Sequence, residues 1–108
     1  MPGMTPLTFE ILLALADASR HGYGIIKEIE HRSGPEAAPS TGALYLALQR
    51  MQGDELIREA EAPPGEDARR KYYRLTPKGR DHAEAESMRL AALVASAREK
   101  KLLAGGAS

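Results

Sequence analysis

The 108-residue chain lacks cysteine and tryptophan and contains a single phenylalanine. Without cysteine it has no disulfide scaffold and no thiolate metal site. Its three histidines are scattered without the spacing of metal ligands, so no metal is expected. No hydrophobic run is long enough to span a bilayer. The first residues show no basic segment followed by an apolar one, so we expect no secretory signal and a cytoplasmic location.

The motifs of common enzyme classes are also missing. We find no phosphate-binding P-loop, no nucleophile elbow and no zinc-binding helix motif. The segment Gly22-Tyr23-Gly24 resembles the start of a dinucleotide fingerprint, but Lys27 replaces its last glycine and no strand precedes it. A turn that enters a helix is the better interpretation. We therefore predict that the protein is not an enzyme and uses no cofactor.

The charge of the chain is zero overall but unevenly distributed. Residues 54–67 contain six acidic residues and one basic residue, whereas residues 69–80 contain six basic residues and no acidic one. Adjacent blocks of opposite sign can form a local positive patch on a neutral protein. Hydrophobic residues make up 43% of the chain, which suits one domain with a modest core.

Hydrophobic residues at helical spacing predict four helices, of which the first, third and fourth follow a Thr-Pro or Ser start signal. They cover about residues 5–18, 23–33, 41–52 and 77–103. The first helix is hydrophobic on two sides, and a second subunit is the natural cover for the side that carries Phe9 and Leu13. The last helix is long and alanine-rich, which favours an oligomerisation arm. Residues 105–108 are expected to fray.

In the third helix, Leu44, Leu48 and Met51 are expected to face the core. Two strands are predicted over residues 56–61 and 70–75, joined by turn-forming residues. In the second strand, alternation directs Tyr73 and Leu75 to the core and Tyr72 and Arg74 outward. The fold class is therefore mainly α with a small β-hairpin, a winged helix-turn-helix plus a long C-terminal helix. We predict a DNA-binding domain over residues 1–76 and a dimerisation helix with a tail over residues 77–108.

A helix fits the major groove of DNA, and its N-terminus offers free N–H groups. Five residues of the third helix are expected to face DNA: Ser40, Thr41, Gly42, Tyr45 and Gln49. The hydroxyl of Tyr45 could bond a phosphate, or its ring could pack against the wing. Four residues of the hairpin are expected to hold phosphates: Arg69, Arg70, Lys71 and Arg74. Alternatively, these residues form a solvated basic strand that protects a sheet edge.

Together these stretches resemble the PadR family of bacterial winged-helix transcriptional regulators. The matches lie at residues 7–15, 21–25, 42–48, 50–51, 56–57 and 70–80, the last being the most specific. The resemblance implies a homodimer held by the first and last helices, a third helix in the major groove and a wing on the flanking backbone. It also implies repression of a nearby promoter. The single short C-terminal helix resembles the shorter branch of the family.

The chain departs from the family pattern at two positions. Leu46 follows Tyr45 where the family often has proline. Glu55 occupies a position where the family usually has glycine, so we expect a different shape for the turn between the third helix and the wing. Because the chain has no tryptophan, binding of flat drugs between tryptophans, known in some members, is not carried over.

The expected dimer interface consists of Phe9, Leu13, Leu90, Leu93, Val94 and Ala97. A cavity at this interface could hold a small apolar effector, but a filled interface is at least as plausible. Two functions remain open. The first is a sequence-specific regulator, acting as a homodimeric repressor on double-stranded DNA. The second is a winged-helix protein-interaction module, which the zero net charge would suit.

Overall fold

The computed structural model describes residues 4–104. The elements are α1 (Pro6–Ala14), β1 (Arg20–His21), α2 (Gly22–Ser33), a 3-10 turn (Pro35–Ala37), α3 (Thr41–Gly53), β2 (Ile57–Ala60), β3 (Tyr72–Leu75) and α4 (Pro77–Glu99). The predicted fold class is confirmed. The predicted tail, residues 105–108, lies outside the described residues. Among the helices of residues 4–104, none combines the length and the apolar character needed to cross a membrane.

Hydroxyl side chains cap the starts of three helices. The hydroxyls of Thr5, Ser40 and Thr76 each accept a hydrogen bond from the backbone N–H three residues later, at 3.1, 3.1 and 2.9 Å. Each bond satisfies one of the N–H groups that a helix start leaves unpaired. The Thr-Pro and Ser signals in the sequence therefore mark the true beginnings of α1, α3 and α4.

The first helix is shorter than predicted, ending at Ala14 instead of Ala18. Arg20 Nε donates to the carbonyl oxygen of Ala14 at 2.7 Å, and Arg80 Nη2 donates to that of Ala16 at 2.8 Å. These guanidinium groups bond carbonyls at the end of the helix, where intrahelical partners run out. The end of α1 thus depends on side chains that are distant in sequence.

The last helix ends at Glu99, four residues before the predicted end at Leu103. Lys101 adopts the left-handed conformation with φ 63°. The N–H groups of Lys101 and Leu102 donate to carbonyl oxygens three and five residues earlier, at 3.0 and 2.9 Å. This bonding pattern is the Schellman motif, here closed by lysine in a position that favours glycine.

The helix α3 ends in the same motif. Glu55 has φ 63°, and the Leu56 N–H donates to the carbonyl oxygen five residues earlier at 2.9 Å. The glutamate that replaces the usual glycine of the family therefore adopts the conformation in which an L side chain is strained.

The sheet has three antiparallel strands in the order β1-β3-β2. The predicted hairpin corresponds to β2 and β3, although β3 begins at Tyr72 and not at Arg70. The strand β1 lies where only a turn was predicted, and it pairs His21 with Tyr72. Because β1 covers the outer edge, β3 is the central strand.

Tyr72 faces away from the main core, as alternation predicted, but it is not exposed. Its side chain is only 2% exposed, and the ring of His21 packs against it edge-on at a centroid distance of 5.3 Å. The cause is β1, which brings His21 over the face of β3 that a two-stranded hairpin would leave open. The Tyr72 hydroxyl is buried and has no hydrogen-bond partner within the described residues.

The core lies between α1, α2, α3 and the inner face of the sheet. Its most fully buried aliphatic residues are Ile11, Leu12, Ile25, Ile29, Leu44, Leu48, Met51 and Ile57. The prediction that α3 packs through Leu44, Leu48 and Met51 is confirmed. Only Gly79 and Ala83 of α4 are buried, so most of this 23-residue helix extends beyond the core.

Candidate nucleic-acid interface

The outer face of α3 is exposed and carries no negative charge. Burial of the four residues that pack on the core turns Thr41, Gly42, Tyr45 and Gln49 to the surface. No acidic residue occurs between Thr41 and Gly53, and Arg50 is exposed on the same helix. This surface can approach a polyanion without like-charge repulsion.

The N-terminal turn of α3 is open. The side chain of Ser40 is engaged in capping the helix, while Thr41 and Gly42 are exposed. A Cβ atom added to Gly42 would meet nothing within 4 Å. Packing inside the molecule therefore does not require glycine here, although glycine costs about 1 kcal/mol in a helix.

Tyr45 packs against the start of α2. Its hydroxyl occupies the space that a Cβ atom at Gly22 would fill, so glycine at position 22 permits this contact. The Tyr45 side chain is nevertheless 45% exposed. Tyr73 of β3 is nearby, and burial, together with the neighbouring Tyr45 and Glu59, raises the pKa of Tyr73. Tyr45 thus lies at the junction of α2, α3 and the sheet.

The wing tip, residues 61–71, gathers three of the four predicted phosphate contacts. Arg69 Nε lies 3.1 Å from Asp67 Oδ1, and Lys71 Nζ lies 3.4 Å from Glu59 Oε2. Arg70 Nε lies 3.9 Å from Asp67 Oδ2. Hydrogen bonds from Arg69 lower the pKa of Asp67. Exposed pairs of this kind are weak because solvent screens them, so a phosphate can replace the carboxylate at small cost.

His21 connects the wing tip to α2. Its Nδ1 accepts a hydrogen bond from the Gly24 N–H at 3.0 Å and so caps α2. Arg70 Nη1 lies 3.2 Å from both ring nitrogens. Burial and the charge of Arg70 lower the pKa of His21, although Glu66 and Asp67 act in the opposite direction. A neutral His21 is the form that can accept the capping bond.

Arg74, the fourth predicted phosphate contact, lies apart from the wing tip. It pairs with Arg58 across β2 and β3, and both line a cleft of about 490 Å³ together with Arg80. Within residues 4–104, no acidic side chain forms an ion pair with these three arginines. Arg58 and Arg80 were not among the predicted phosphate contacts, although alternation along β2 could have indicated that Arg58 is exposed.

The predicted dimer residues divide into two groups. Phe9, Leu13 and Leu90 line one groove of about 390 Å³ between α1 and α4. Its rim carries two ion pairs, each with a shortest N–O distance of 2.6 Å: Arg32–Glu10 and Arg89–Glu86. Farther along α4, Leu93 and Val94 are exposed and Ala97 is half-buried. These three residues lie along one side of α4, and no other described part of the chain covers that side.

No group of three or more acidic or histidine side chains in the described residues is arranged to hold a metal ion.

Comparison with known proteins identifies the family. The model of the PadR-like family of transcriptional regulators matches residues 11–85. The chain belongs to this family. Membership confirms the resemblance, and it confirms the prediction that the protein is not an enzyme because the family consists of transcriptional regulators.

Solved structures of PadR-like regulators share the fold. A PadR family transcription regulator from Clostridium difficile superposes with a TM-score of 0.76 at 28% identity, covering 88% of this chain and 97% of the other. Bacillus subtilis PadR, solved in complex with operator DNA, has a TM-score of 0.63 at 21% identity and covers 75% and 46%.

Two curated relatives are uncharacterised proteins. A 37.1 kDa protein in transposon TN4556 of Streptomyces fradiae is 41% identical over 83 residues, covering 77% of this chain and 22% of that protein. A Lysinibacillus sphaericus protein is 31% identical over 70 residues, covering 65% of this chain and 64% of the other. The chain thus spans less than two thirds of either relative.

Proposed function

We propose that this PadR-like regulator binds double-stranded DNA as a homodimer and represses transcription. The observation that carries the proposal is the outer face of α3, which is exposed and free of acidic residues, in a fold whose wing tip exposes Arg69, Arg70 and Lys71. His21 contacts both the start of α2 and Arg70 of the wing tip. The helix-turn-helix and the wing can therefore approach one duplex together. Bacillus subtilis PadR, which shares the fold, was solved in complex with operator DNA, and this supports DNA binding.

The proposed roles follow the position of each side chain. The α3 residues face the major groove: Ser40, Thr41, Gly42, Tyr45 and Gln49. The wing-tip residues exchange their carboxylate partners for backbone phosphates: Arg69, Arg70 and Lys71. Arg74 would hold a phosphate farther along the strand. Phosphate contacts position the protein, and groove contacts read the sequence.

Dimerisation is the second part of the proposal. Residues 1–76 would bind DNA, while residues 77–108 would pair with a second copy through the side of α4 that carries Leu93 and Val94. The groove around Phe9 and Leu13 would be covered in the same dimer, either filled by the partner or left open for a small apolar effector. Two copies of α3 would then read half-sites roughly 34 Å apart.

The test of DNA binding is the double variant Arg70→Ala/Lys71→Ala. The matched control is Lys100→Ala/Lys101→Ala, which removes the same charge at the end of α4. Fluorescence anisotropy with a duplex from upstream of the protein's own gene should show at least tenfold weaker binding for the wing variant. The control should change affinity less than threefold, and both variants should remain dimers.

A protein-interaction module is the second candidate. It is favoured by the intramolecular pairing of the wing-tip cations with Asp67 and Glu59 in a protein of zero net charge. In that case, wild type and both variants would bind the duplex equally weakly. Equal behaviour of the three proteins would therefore argue for the module and against the regulator.

A further inference from the structure

The centre of the exposed face of α3 carries a hydrophobic side chain beside a polar one. At about 100° per residue, the stripe opposite the buried residues contains Gly42, Leu46, Gln49 and Gly53. Leu46 is the hydrophobic residue of this stripe and is 59% exposed. Thr41 and Tyr45 lie toward one flank, where Tyr45 also contacts α2. Leu46 and Gln49 are thus the two side chains that lie beside the most outward line of the helix, which the glycines occupy, and Leu46 is the hydrophobic one.

The two glycines increase the prominence of Leu46. Cβ atoms added to Gly42 or Gly53 would meet nothing within 4 Å, so neither glycine is required by packing inside the molecule. Gly42 lies one turn before Leu46, and its missing side chain leaves the leucine accessible from the N-terminal side. The described residues therefore provide no reason for this arrangement, whereas a closely approaching surface would.

The chemistry of DNA limits what a leucine can recognise there. In the major groove, the C5-methyl of thymine is the apolar group that base edges present; the other features are hydrogen-bond donors and acceptors. A leucine pressed against a donor or acceptor would leave it without a partner, which is costly. Packing against a thymine methyl instead removes apolar surface of both groups from water.

We propose that Leu46 packs on a thymine C5-methyl and makes the protein select thymine at one position of each half-site. This inference rests on the proposed function, because it requires α3 to enter the major groove. Leu46 is a specificity-determining residue in this account, while Gln49 and Thr41 supply hydrogen bonds beside it. Arg50, which follows Gln49 on the same helix, would contact a phosphate at the edge of the groove.

The experiment begins with duplexes that the full chain enriches from a random pool. Each thymine of the enriched sequence is replaced in turn by uracil, which removes only the methyl group. One position per half-site should lose about fourfold in affinity, the scale of one buried methyl group. With Leu46→Ala, that uracil penalty should fall below 1.5-fold, while the dependence of affinity on salt stays unchanged.

Two controls separate the outcomes. Leu102→Ala removes a leucine that is 77% exposed beyond α4, and it should leave affinity and the uracil penalty unchanged. Gln49→Ala should weaken binding but retain the penalty at the Leu46 position. If a duplex is enriched but no uracil penalty depends on Leu46, this inference fails and the proposed function stands. If no duplex is enriched, the proposed function fails and the inference with it.

Discussion

At the residue scale, His21 makes three different contacts that hold neighbouring elements together. Its ring caps α2, covers Tyr72 and lies against Arg70 of the wing tip. The sequence identified it only as part of a turn. Its role depends on the pairing of β1 with β3, a contact between residues about fifty positions apart, which local patterns do not reveal.

Protonation of His21 should destabilise the protein. Its pKa is lowered in the folded state, so its contribution is complete above the unfolded-state value of about 6.5 and declines as pH falls below that value. His21→Asn keeps a capping side chain without a titrating ring. Urea unfolding at pH 7 and pH 5 should therefore show a smaller loss of stability for this variant than for wild type.

His31→Asn, on the exposed side of α2, is the control for the His21 variant and should lose as much stability as wild type. Equal losses in all three proteins would contradict the role given to His21.

At the scale of elements, α4 approaches the turn between α3 and β2 very closely. A Cβ atom at Gly79 would collide with the carbonyl oxygen of Leu56, which also accepts a hydrogen bond from the Thr76 N–H at 3.1 Å. Gly79→Ala should therefore destabilise the protein by about 1–3 kcal/mol in urea unfolding. Gly53→Ala, where the added atom meets nothing, should stabilise it by roughly 0.5–1 kcal/mol. Destabilisation by both substitutions to the same extent would contradict this assignment.

Glu55, which has a left-handed backbone, is a position where a substitution to glycine, instead of from glycine, should change stability. Glu55→Gly should relieve the strained conformation and raise the free energy of unfolding by about 1 kcal/mol. Asp54→Gly, one residue earlier at φ −87°, gains no such relief and should not stabilise. Thermal unfolding of the two variants distinguishes them. A lower Tm for Glu55→Gly than for wild type would contradict this prediction, because it would show that the glutamate side chain stabilises the protein more than its left-handed backbone destabilises it.

All four helix starts and the ends of α2 and α3 were predicted to within one residue, whereas α1 and α4 each end four residues earlier than predicted, for a physical reason. A start depends on a local cap such as Thr5, Ser40 or Thr76. The end of α1 depends instead on the distant Arg80, and the end of α4 uses Lys101 where glycine would have been the signal. For the candidate site, the orientation of α3 followed from its hydrophobic spacing. The pairing of the wing cations and the separation of Arg74 required the three-dimensional structure.

At the scale of the whole molecule, α4 leaves apolar side chains without a cover in the described chain. Leu93→Glu/Val94→Glu should convert the proposed dimer to monomers at micromolar concentration, because burying two carboxylates in an apolar interface is costly. Met88→Glu, on the other side of the same helix, should leave the dimer intact. Sedimentation velocity measures both. A wild-type protein that is monomeric under these conditions would contradict the dimer directly.

The central claim is that α3 and the wing bind one DNA duplex through phosphate and groove contacts. The most direct test is the affinity of the wild-type protein for a duplex from upstream of its own gene, measured from 50 to 300 mM salt. We predict that log K falls linearly with log salt, with a slope of about −4 or steeper, since several counterions are released by the wing-tip cations of two subunits. A flat dependence, or no binding at 50 mM salt, would contradict the account.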